Sequence, residues 1–394
     1  MIHMSEIEYL IGSGNISTSP LKVYSDEAVS FIADLSSRIM KSSLVRAYPD
    51  IMTFGFWCRK GNILRLKDKY PESDIRLGRG VCFHVTPSNI PVSFAFSYIF
   101  GLLAGCSNIV RLPSRKFAQI DIIISILRET LKTHPDIYNR TAFIRYPVNQ
   151  VTTEHFSLMA DARMIWGGDG TVTNIRCMKT HPRCIDVFFP DRYSICVIDA
   201  DAVKKSDDNE LAKLADNFYN DTYLMDQNAC SSPKIVCWIN DCQEGRSKFW
   251  DAVINVVRTR YDLQAATSVD KFTKSCEDAI ERFDNIVSIE QNTNLLYRVE
   301  IRKLTPETED YRGVGGYFYE FSMEHLEDLI SVVTEKIQTI TWFGLDPKTI
   351  QNVVINNRLR GVDRIAPIGK AMDIGVIWDG YDLIRMLSRI VNVE

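Results

Sequence analysis

The sequence has no excess of positive charge and no long apolar run, and each absence excludes a class of protein. Its 46 basic and 50 acidic residues are mixed along 394 residues, so no basic stripe is available for nucleic acid. The longest apolar stretch, around Phe94–Ala104, is much shorter than the roughly 20 residues of a membrane-spanning helix. We therefore expect a soluble protein without a nucleic-acid partner or a membrane span.

The sequence also lacks a secretory signal, since its amino terminus has no basic region followed by a long apolar run. Its ten cysteines are scattered without framework spacing, as in reduced cytosolic proteins. Cys177, His181 and Cys184 approach a zinc motif but have no matching second pair. The sequence thus predicts a cytoplasmic protein with no metal site.

From Gly80 onward, short apolar runs alternate with helical patterns, which is typical of a parallel sheet with helices on both faces. Val81–Val85 is predicted as a strand. Arg115–Lys132, with Ser114 as its cap, repeats apolar residues at helical spacing. The fold class is therefore α/β, with a Rossmann-type, doubly wound first lobe and a second α/β lobe.

A polar segment, Lys204–Glu210, precedes a less regular pattern, so we place the lobe boundary near residue 203. Tyr381–Val391 is predicted as an amphipathic helix that returns to the first lobe or to a partner subunit. Residues 1–76 match no motif. The predicted parts are an amino-terminal extension with a cofactor lobe (1–203), a catalytic lobe (204–364) and a carboxyl-terminal segment (365–394).

The turn Thr86-Pro87-Ser88-Asn89 follows the strand Val81–Val85. It lies at the edge where open α/β sheets bind ligands, and the amide of Asn89 could stabilise an oxyanion there. The same residue could simply cap the following helix. The pattern leaves both interpretations open.

Two further turns contain residues that suit a nucleotide. Arg111 and Arg115 carry guanidinium groups that suit phosphate, although a solvated basic turn would look the same. Gly167 and Gly168 follow another strand, where missing Cβ atoms let a ligand approach the backbone. A tight left-handed turn would use the same glycines.

Cys230 differs from the other cysteines because it lies in a polar turn, Asp226–Pro233. A thiol in a turn can be exposed and activated, whereas Cys196 and Cys237 lie inside apolar strands and should be inert. No histidine is near in sequence to act as a base. The residues alone leave open whether Cys230 is a nucleophile.

Together these segments resemble the acyl-CoA reductases typified by the fatty-acid reductase of bacterial luminescence, a branch of the aldehyde dehydrogenase superfamily. The resemblance runs from about Leu77 to the carboxyl terminus. Thr86–Pro91 is similar to the superfamily's T-P-W-N-x-P turn, and Leu102–Ser114 to its A-L-A-A-G-N…K-P-S strand. Gln227–Cys230 falls where the catalytic thiol is expected.

The resemblance implies a role for each candidate. Cys230 would capture an acyl thioester, with Asn89 as oxyanion donor. Phe189 stands where hydrolytic members carry a general-base Glu, so the acyl-enzyme would persist until a hydride arrives. Arg115 replaces a Glu of NAD-preferring members, which favours NADPH. The implied cofactor-binding residues are Thr86, Pro87, Arg111, Pro113, Ser114, Arg115, Gly167 and Gly168.

Two alternatives stay open: an acyl-transfer enzyme that uses Cys230 without hydride transfer, and a non-catalytic assembly subunit. The residues define neither the acyl group nor its donor, and coenzyme A, a carrier protein and a synthetase partner all stay open. His84 or the dinucleotide is a candidate for lowering the pKa of Cys230. By the resemblance, we expect a homo-oligomer and consider an acyl-activating synthetase as a partner.

Overall fold

The computed structural model describes residues 7–87, 90–305 and 311–394. The chain forms two compact units, Met1–Pro190 with Val376–Glu394, and Asp191–Gly375. The sequence places the boundary near residue 203, whereas the units divide after Pro190 because the next strand joins the second sheet.

The first unit is built on a six-stranded sheet. Its strands are β1 (Glu8–Ile11), β3 (Val81–Val85), β4 (Ser107–Arg111), β5 (Thr141–Arg145), β6 (Ala162–Trp166) and β7 (Ile185–Phe189). The short strand β2 (Arg76–Gly78) lies outside this sheet. The sheet order is β1-β5-β4-β3-β6-β7, and β1 is antiparallel to β5 at one edge. All other pairs are parallel. The order reverses between β3 and β6, so the carboxyl ends of these strands form a topological switch point.

Helices cover the sheet of the first unit, and in chain order they are α1 (Asp26–Lys41), α2 (Pro49–Trp57), α3 (Lys60–Lys67), α4 (Ser93–Leu103), α5 (Ala118–Leu131), α6 (Pro135–Tyr138), α7 (Gln150–Met159) and α8 (Asp169–Arg176). Short 3₁₀ helices occupy Ser43–Ala47 and Ser73–Ile75. Phe83 of β3 packs in one core cluster with Phe156 and Val172 of α7 and α8. Its neighbour His84 contacts Ser97 of α4 on the other face, as expected from the alternation of side chains along a strand.

Helix α5 has the predicted apolar face, and its Ile120, Ile124 and Leu127 are buried. It begins at Ala118, with Phe117 at the N-cap position and no side-chain cap. The prediction that Ser114 caps this helix is therefore wrong. Ser114 is exposed in the turn before it.

The second unit contains a seven-stranded sheet, formed by β8 (Tyr193–Asp199), β9 (Pro233–Ile239), β10 (Ile286–Asn292), β11 (Leu296–Ile301), β12 (Tyr317–Ser322), β13 (Ile337–Phe343) and β14 (Arg364–Pro367). Its order is β10-β11-β12-β9-β8-β13-β14, and of the strand pairs described within this sheet β10–β11 is antiparallel and the others are parallel. The register pairs Ser194 with Pro233 and Tyr193 with Ile337. The amino ends of β8, β9 and β13 therefore lie side by side.

Two core clusters lie on opposite faces of this sheet, because neighbouring residues such as Val197 and Ile198 belong to different clusters. Short 3₁₀ helices occupy Tyr223–Met225 and Leu326–Ser331. The helices of the unit are α9 (Ala200–Lys205), α10 (Asp208–Asp221), α11 (Gln243–Arg260), α12 (Ala265–Glu281) and α13 (Pro347–Asn356).

The carboxyl-terminal segment is not the predicted helix over Tyr381–Val391. It forms a two-stranded ribbon, one helical turn and a strand: β15 (Ile377–Trp378), β16 (Tyr381–Asp382), α14 (Leu383–Met386) and β17 (Ser388–Ile390). Strand β17 pairs antiparallel with β2, and Arg76 donates from Nε to Ser388 Oγ at 2.9 Å. That distant pairing overrides the local helical pattern.

The α/β prediction, with a doubly wound lobe and a second α/β lobe, is confirmed. None of the helices described here is long and apolar enough to cross a membrane.

Candidate active site

Cys230 lies in the turn that precedes β9, beside the amino ends of β8 and β13, and its side chain is half-buried. The hydroxyl of Ser194, on β8, donates to the Cys230 carbonyl at 2.7 Å. The same hydroxyl accepts from the Thr339 N–H of β13 at 3.2 Å. One side chain thus ties the cysteine backbone to two neighbouring strands.

The side chain of Gln227 connects the Cys230 turn to neighbouring backbone groups by hydrogen bonds. Its fully buried side chain donates from Nε2 to the Pro233 carbonyl at 3.0 Å and the Tyr317 carbonyl at 3.1 Å. Its Oε1 accepts from the N–H groups of Gly316 and Tyr317 at 3.2 Å each. The amide therefore makes four hydrogen bonds, its usual full set.

The backbone at Asp226 and Gln227 is left-handed, with φ of 50° and 60°. Such φ values are unfavourable for residues with a Cβ and persist only where surrounding contacts enforce them. Here the Tyr261 hydroxyl donates to Asp226 Oδ1 at 2.7 Å, and the Gly315 N–H donates to the Asp226 carbonyl at 2.9 Å. The turn before Cys230 is thus held in one conformation.

Lys234 is buried at the start of β9, and its ammonium donates to the carbonyls of Gln227 and Gly313, the latter at 3.1 Å. Burial lowers the pKa of Lys234 to about 7, and the charge of Arg312 lowers it further, whereas Cys230 and Asp191 act in the opposite direction. The buried ammonium of Lys234 therefore fixes the Gln227 carbonyl in the turn before Cys230.

Two more side chains complete the surroundings of the turn. The side-chain Nε2 of Gln338, on β13, donates to the Cys230 sulfur at 3.3 Å. Ser231 donates from Oγ to the Met372 sulfur at 3.4 Å. The segment containing Met372 is fixed in turn by Asp221, which accepts from the N–H groups of Gly369 at 2.6 Å and Ala371 at 3.0 Å.

Within the first unit, the predicted cofactor residues follow β3, β4 and β6, so they lie at the carboxyl edge of one sheet. Thr86 is buried and donates from Oγ1 to the Arg111 carbonyl at 2.8 Å, which joins two of the three turns. Pro87 is half-buried beside it. Asn89, the predicted oxyanion donor, lies outside the described residues.

Arg111 is the last residue of β4, and its side chain lies over the Tyr146 ring, with the guanidinium carbon 4.5 Å from the ring centroid. Pro113 is buried, whereas Ser114 and Arg115 are exposed. The guanidinium of Arg115 is 4.9 Å from the Phe117 ring centroid. The turn therefore presents two exposed cations, Arg115 and Lys116, and one exposed hydroxyl, that of Ser114.

The turn after β6 places Gly168 at the N-cap of α8 with φ of −64°, and a Cβ added there would meet no atom within 4 Å. Neither Gly167 nor Gly168 has a positive φ, so the backbone conformation does not require a glycine at either position. Beside this turn Trp166 stacks on Phe189, with ring centroids 3.7 Å apart. The stacked pair Trp166 and Phe189 is apolar, and the residue at position 189 itself carries no carboxylate.

His84 does not supply a positive charge at neutral pH. It is fully buried, and its ring nitrogens contact Ser97 Oγ at 2.8 Å and Asn108 Oδ1 at 2.9 Å. Burial lowers the pKa of His84 to about 4, so the imidazole is neutral. Its contacts give it a structural role between β3, β4 and α4.

Comparison with known proteins now identifies the family. The family model described as acyl-CoA reductase (LuxC) matches residues 62–390. The chain belongs to the acyl-CoA reductase family. The predicted resemblance is confirmed, and family membership supports an oxidoreductase that acts on acyl or aldehyde groups. No curated protein sequence matches the chain.

Solved structures show that this acyl-CoA reductase family member has the aldehyde dehydrogenase fold, as predicted. An NAD-dependent aldehyde dehydrogenase from Sinorhizobium meliloti aligns with a TM-score of 0.66 at 13% identity, covering 93% of this chain and 81% of that one. An NAD-dependent benzaldehyde dehydrogenase from Corynebacterium glutamicum aligns with a TM-score of 0.64 at 9% identity, covering 99% of this chain and 98% of that one. At these identities the likeness shows the fold alone.

Sequence patterns do not predict the polar surroundings of Cys230. Gln227 enters the resemblance only as the first residue of Gln227–Cys230, and nothing in the sequence connects Lys234 or Gln338 with the thiol. A signal existed for two of them, because Lys234 and Gln338 interrupt the apolar patterns of β9 and β13 near their amino ends. Buried polar residues in a strand must find partners, which marks them for inspection.

Proposed function

We propose that this protein reduces an acyl thioester to the aldehyde with NADPH, through an acyl-enzyme on Cys230. The observation that carries the proposal is the half-buried Cys230 thiol in a turn whose neighbours are fixed by buried polar side chains, in a chain of the acyl-CoA reductase family. Preorganised surroundings of this kind are typical of catalytic nucleophiles.

The first half of the reaction transfers the acyl group. Cys230 loses its proton to solvent, and the thiolate electron pair forms a bond to the thioester carbonyl carbon. The bond from that carbon to the carrier sulfur breaks, and the departing thiolate takes up a proton. We assign the oxyanion to the amide of Asn89 and the backbone N–H of Cys230.

The second half releases the product. When bound, NADPH supplies the hydride that reduces the acyl carbon. The bond between that carbon and the Cys230 sulfur then breaks, and the sulfur keeps the electron pair. The aldehyde leaves and the thiolate is restored. Phe189 supports this order of events, because it provides no carboxylate to activate water against the acyl-enzyme.

The first unit fits a dinucleotide. The proposed cofactor residues line the carboxyl edge on both sides of the switch point between β3 and β6, the usual ligand position in open α/β sheets. Gly168 leaves space at the start of α8, where backbone N–H groups favour phosphate. The exposed Arg115 suits a ribose 2′-phosphate, which supports NADPH over NADH.

The proposal also covers the substrate carrier, the oligomeric state, the cellular location and a partner protein. We propose an acyl-CoA or acyl-carrier substrate, a homo-oligomeric cytoplasmic enzyme and an acyl-activating synthetase as partner. The sequence predicts parts at 1–203, 204–364 and 365–394; with the units of the structure, we propose that Met1–Pro190 with Val376–Glu394 is the cofactor part and Asp191–Gly375 the catalytic part.

The direct test measures NADPH oxidation by absorbance with a panel of acyl-CoA thioesters, for wild type and Cys230→Ala, with NADH as the rival cofactor. We expect thioester-dependent oxidation that falls at least about 1,000-fold in the variant. Cys242→Ala, at another partly buried cysteine, is the matched control and should keep full activity. Oxidation that persists in Cys230→Ala would refute the proposal.

A further inference from the structure

Gln338 is the second residue of β13, and its side chain meets the Cys230 sulfur directly. The distance from Nε2 to Sγ is 3.3 Å, within the range of an N–H···S hydrogen bond. Gln338 is 5% exposed. A buried amide facing a thiol is a specific arrangement, since most glutamines lie at the surface.

The amide is oriented by its neighbours. Thr339 donates from Oγ1 to Gln338 Oε1 at 3.4 Å, which leaves the NH₂ group toward the sulfur. The Gln338 carbonyl accepts from the Asp363 N–H at 2.9 Å. Because Ser194 joins the Cys230 carbonyl to the Thr339 N–H, strand and turn are also linked through their backbones. The amide and the sulfur are thus held at a fixed separation.

We propose that Gln338 is a catalytic residue that donates a hydrogen bond to the Cys230 thiolate and keeps more of the thiol ionised at neutral pH. A hydrogen bond to the charged form stabilises it relative to the neutral form, and bonds to charged acceptors are the stronger ones. The inference rests on the proposed role of Cys230 as nucleophile.

The hydrogen bond matters before the attack rather than after it. Once the sulfur has formed its bond to the acyl carbon it is neutral and a weaker acceptor. Gln338 therefore stabilises the reactant thiolate, raising its population at neutral pH while slightly lowering its intrinsic nucleophilicity. Removing the amide should slow the thiol at neutral pH and leave it equally fast or faster once fully ionised.

Other charged groups contribute to the same surroundings and stay constant in the test. Lys234 is on β9, Arg312 pairs with Asp191 at 2.6 Å, and Arg192, just before β8, pairs with Asp363 just before β14. Replacing Gln338 with a side chain of similar size leaves all of these in place.

The experiment measures alkylation of Cys230 by iodoacetamide as a function of pH, quantified on its own peptide by mass spectrometry because Cys177 and Cys276 are exposed. Wild type is compared with Gln338→Met, which has similar length and no donor, and with Gln338→Glu, which places a negative charge beside the sulfur. Gln351→Met, at an exposed position of α13, is the matched control.

We expect alkylation of Gln338→Met to be about ten-fold slower at about pH 7 and undiminished at about pH 10, a shift of about one unit in the titration midpoint. Gln338→Glu should shift the midpoint further, and Gln351→Met should follow wild type. Identical profiles for wild type and both variants would overturn the proposal. A uniform slowing at every pH would also overturn it, because that pattern indicates a disturbed fold.

The assay contains no acyl donor and no nucleotide, so it is separate from the test of the reductase activity. If the shift is found but acyl-CoA never acylates Cys230, the donor assignment holds and the proposed substrate is wrong. If Gln338→Met fails to fold by circular dichroism, the isosteric Gln338→Glu decides the question.

Discussion

The two parallel sheets of this protein carry their candidate residues at opposite edges. In the first unit, the proposed cofactor turns follow the carboxyl ends of β3, β4 and β6. In the second, Cys230, Ser194 and Gln338 gather at the amino ends of β9, β8 and β13. Our proposals thus place the cofactor at the edge that binds ligands in open α/β sheets, and the thiol at the opposite kind of edge.

The two edges also differ in how many of their polar groups already have hydrogen-bond partners within the protein. The cofactor turns leave Ser114, Arg115 and Gly168 exposed, as expected of groups that meet their partners when a ligand binds. Around Cys230, buried Gln227 and Lys234 are satisfied by the protein itself. The comparison teaches that substitutions at the first edge should change ligand affinity, and those at the second should change stability and thiol reactivity.

The largest effect is expected at Gln227. Gln227→Ala removes four hydrogen bonds and leaves buried carbonyl and N–H groups without partners, so the free energy of unfolding should fall by at least about 4 kcal/mol. Denaturant unfolding measures this. The exposed control Gln351→Ala should change stability by no more than about 0.5 kcal/mol. A loss below about 1 kcal/mol at Gln227 would remove the contrast between the edges.

A smaller effect, on cofactor affinity rather than on stability, is expected at Arg115. Arg115→Glu replaces an exposed cation with an anion, so the KM for NADPH should rise about 10- to 100-fold while the KM for NADH changes little. Stability should stay within about 0.5 kcal/mol of wild type, since the side chain is exposed. Arg46→Glu, at another exposed arginine of the first unit, is the control. Equal changes for both cofactors would argue against a 2′-phosphate contact.

The third prediction is a pH dependence of the free energy of unfolding due to Lys234. Its pKa in the folded protein, about 7, is below its usual value of 10.5, so the unfolded chain binds more protons between these values. This contribution to stability is therefore present above about pH 10.5 and is lost as pH falls toward 7, with a slope of at most about 1.4 kcal/mol per pH unit.

Lys234→Met abolishes that titration, so the stability of wild type relative to the variant should rise between about pH 7 and 9. Denaturant unfolding at several pH values gives the difference. Lys213→Met, at an exposed position of α10, should show a constant difference from its parent. A pH-independent difference for Lys234→Met would mean that Lys234 stays charged throughout the range.

The sequence predicted the first edge better than the second for a physical reason. A strand followed by a turn rich in Gly, Pro or Arg is a local pattern, so the strand Val81–Val85 is predicted with the bounds that β3 has. The surroundings of Cys230 come partly from distant residues, such as Ser194, 36 positions away, and Gln338, 108 positions away. Likewise, the β2–β17 pairing makes a strand of a segment whose local pattern suggested a helix.

The measurement that tests the central claim most directly is mass spectrometry of the protein mixed with an acyl-CoA in the absence of NADPH. The account predicts one acyl adduct on the Cys230 peptide, which disappears when NADPH is added as an equal amount of aldehyde is released. An adduct on a different cysteine, or aldehyde formation without acylation of Cys230, would contradict it.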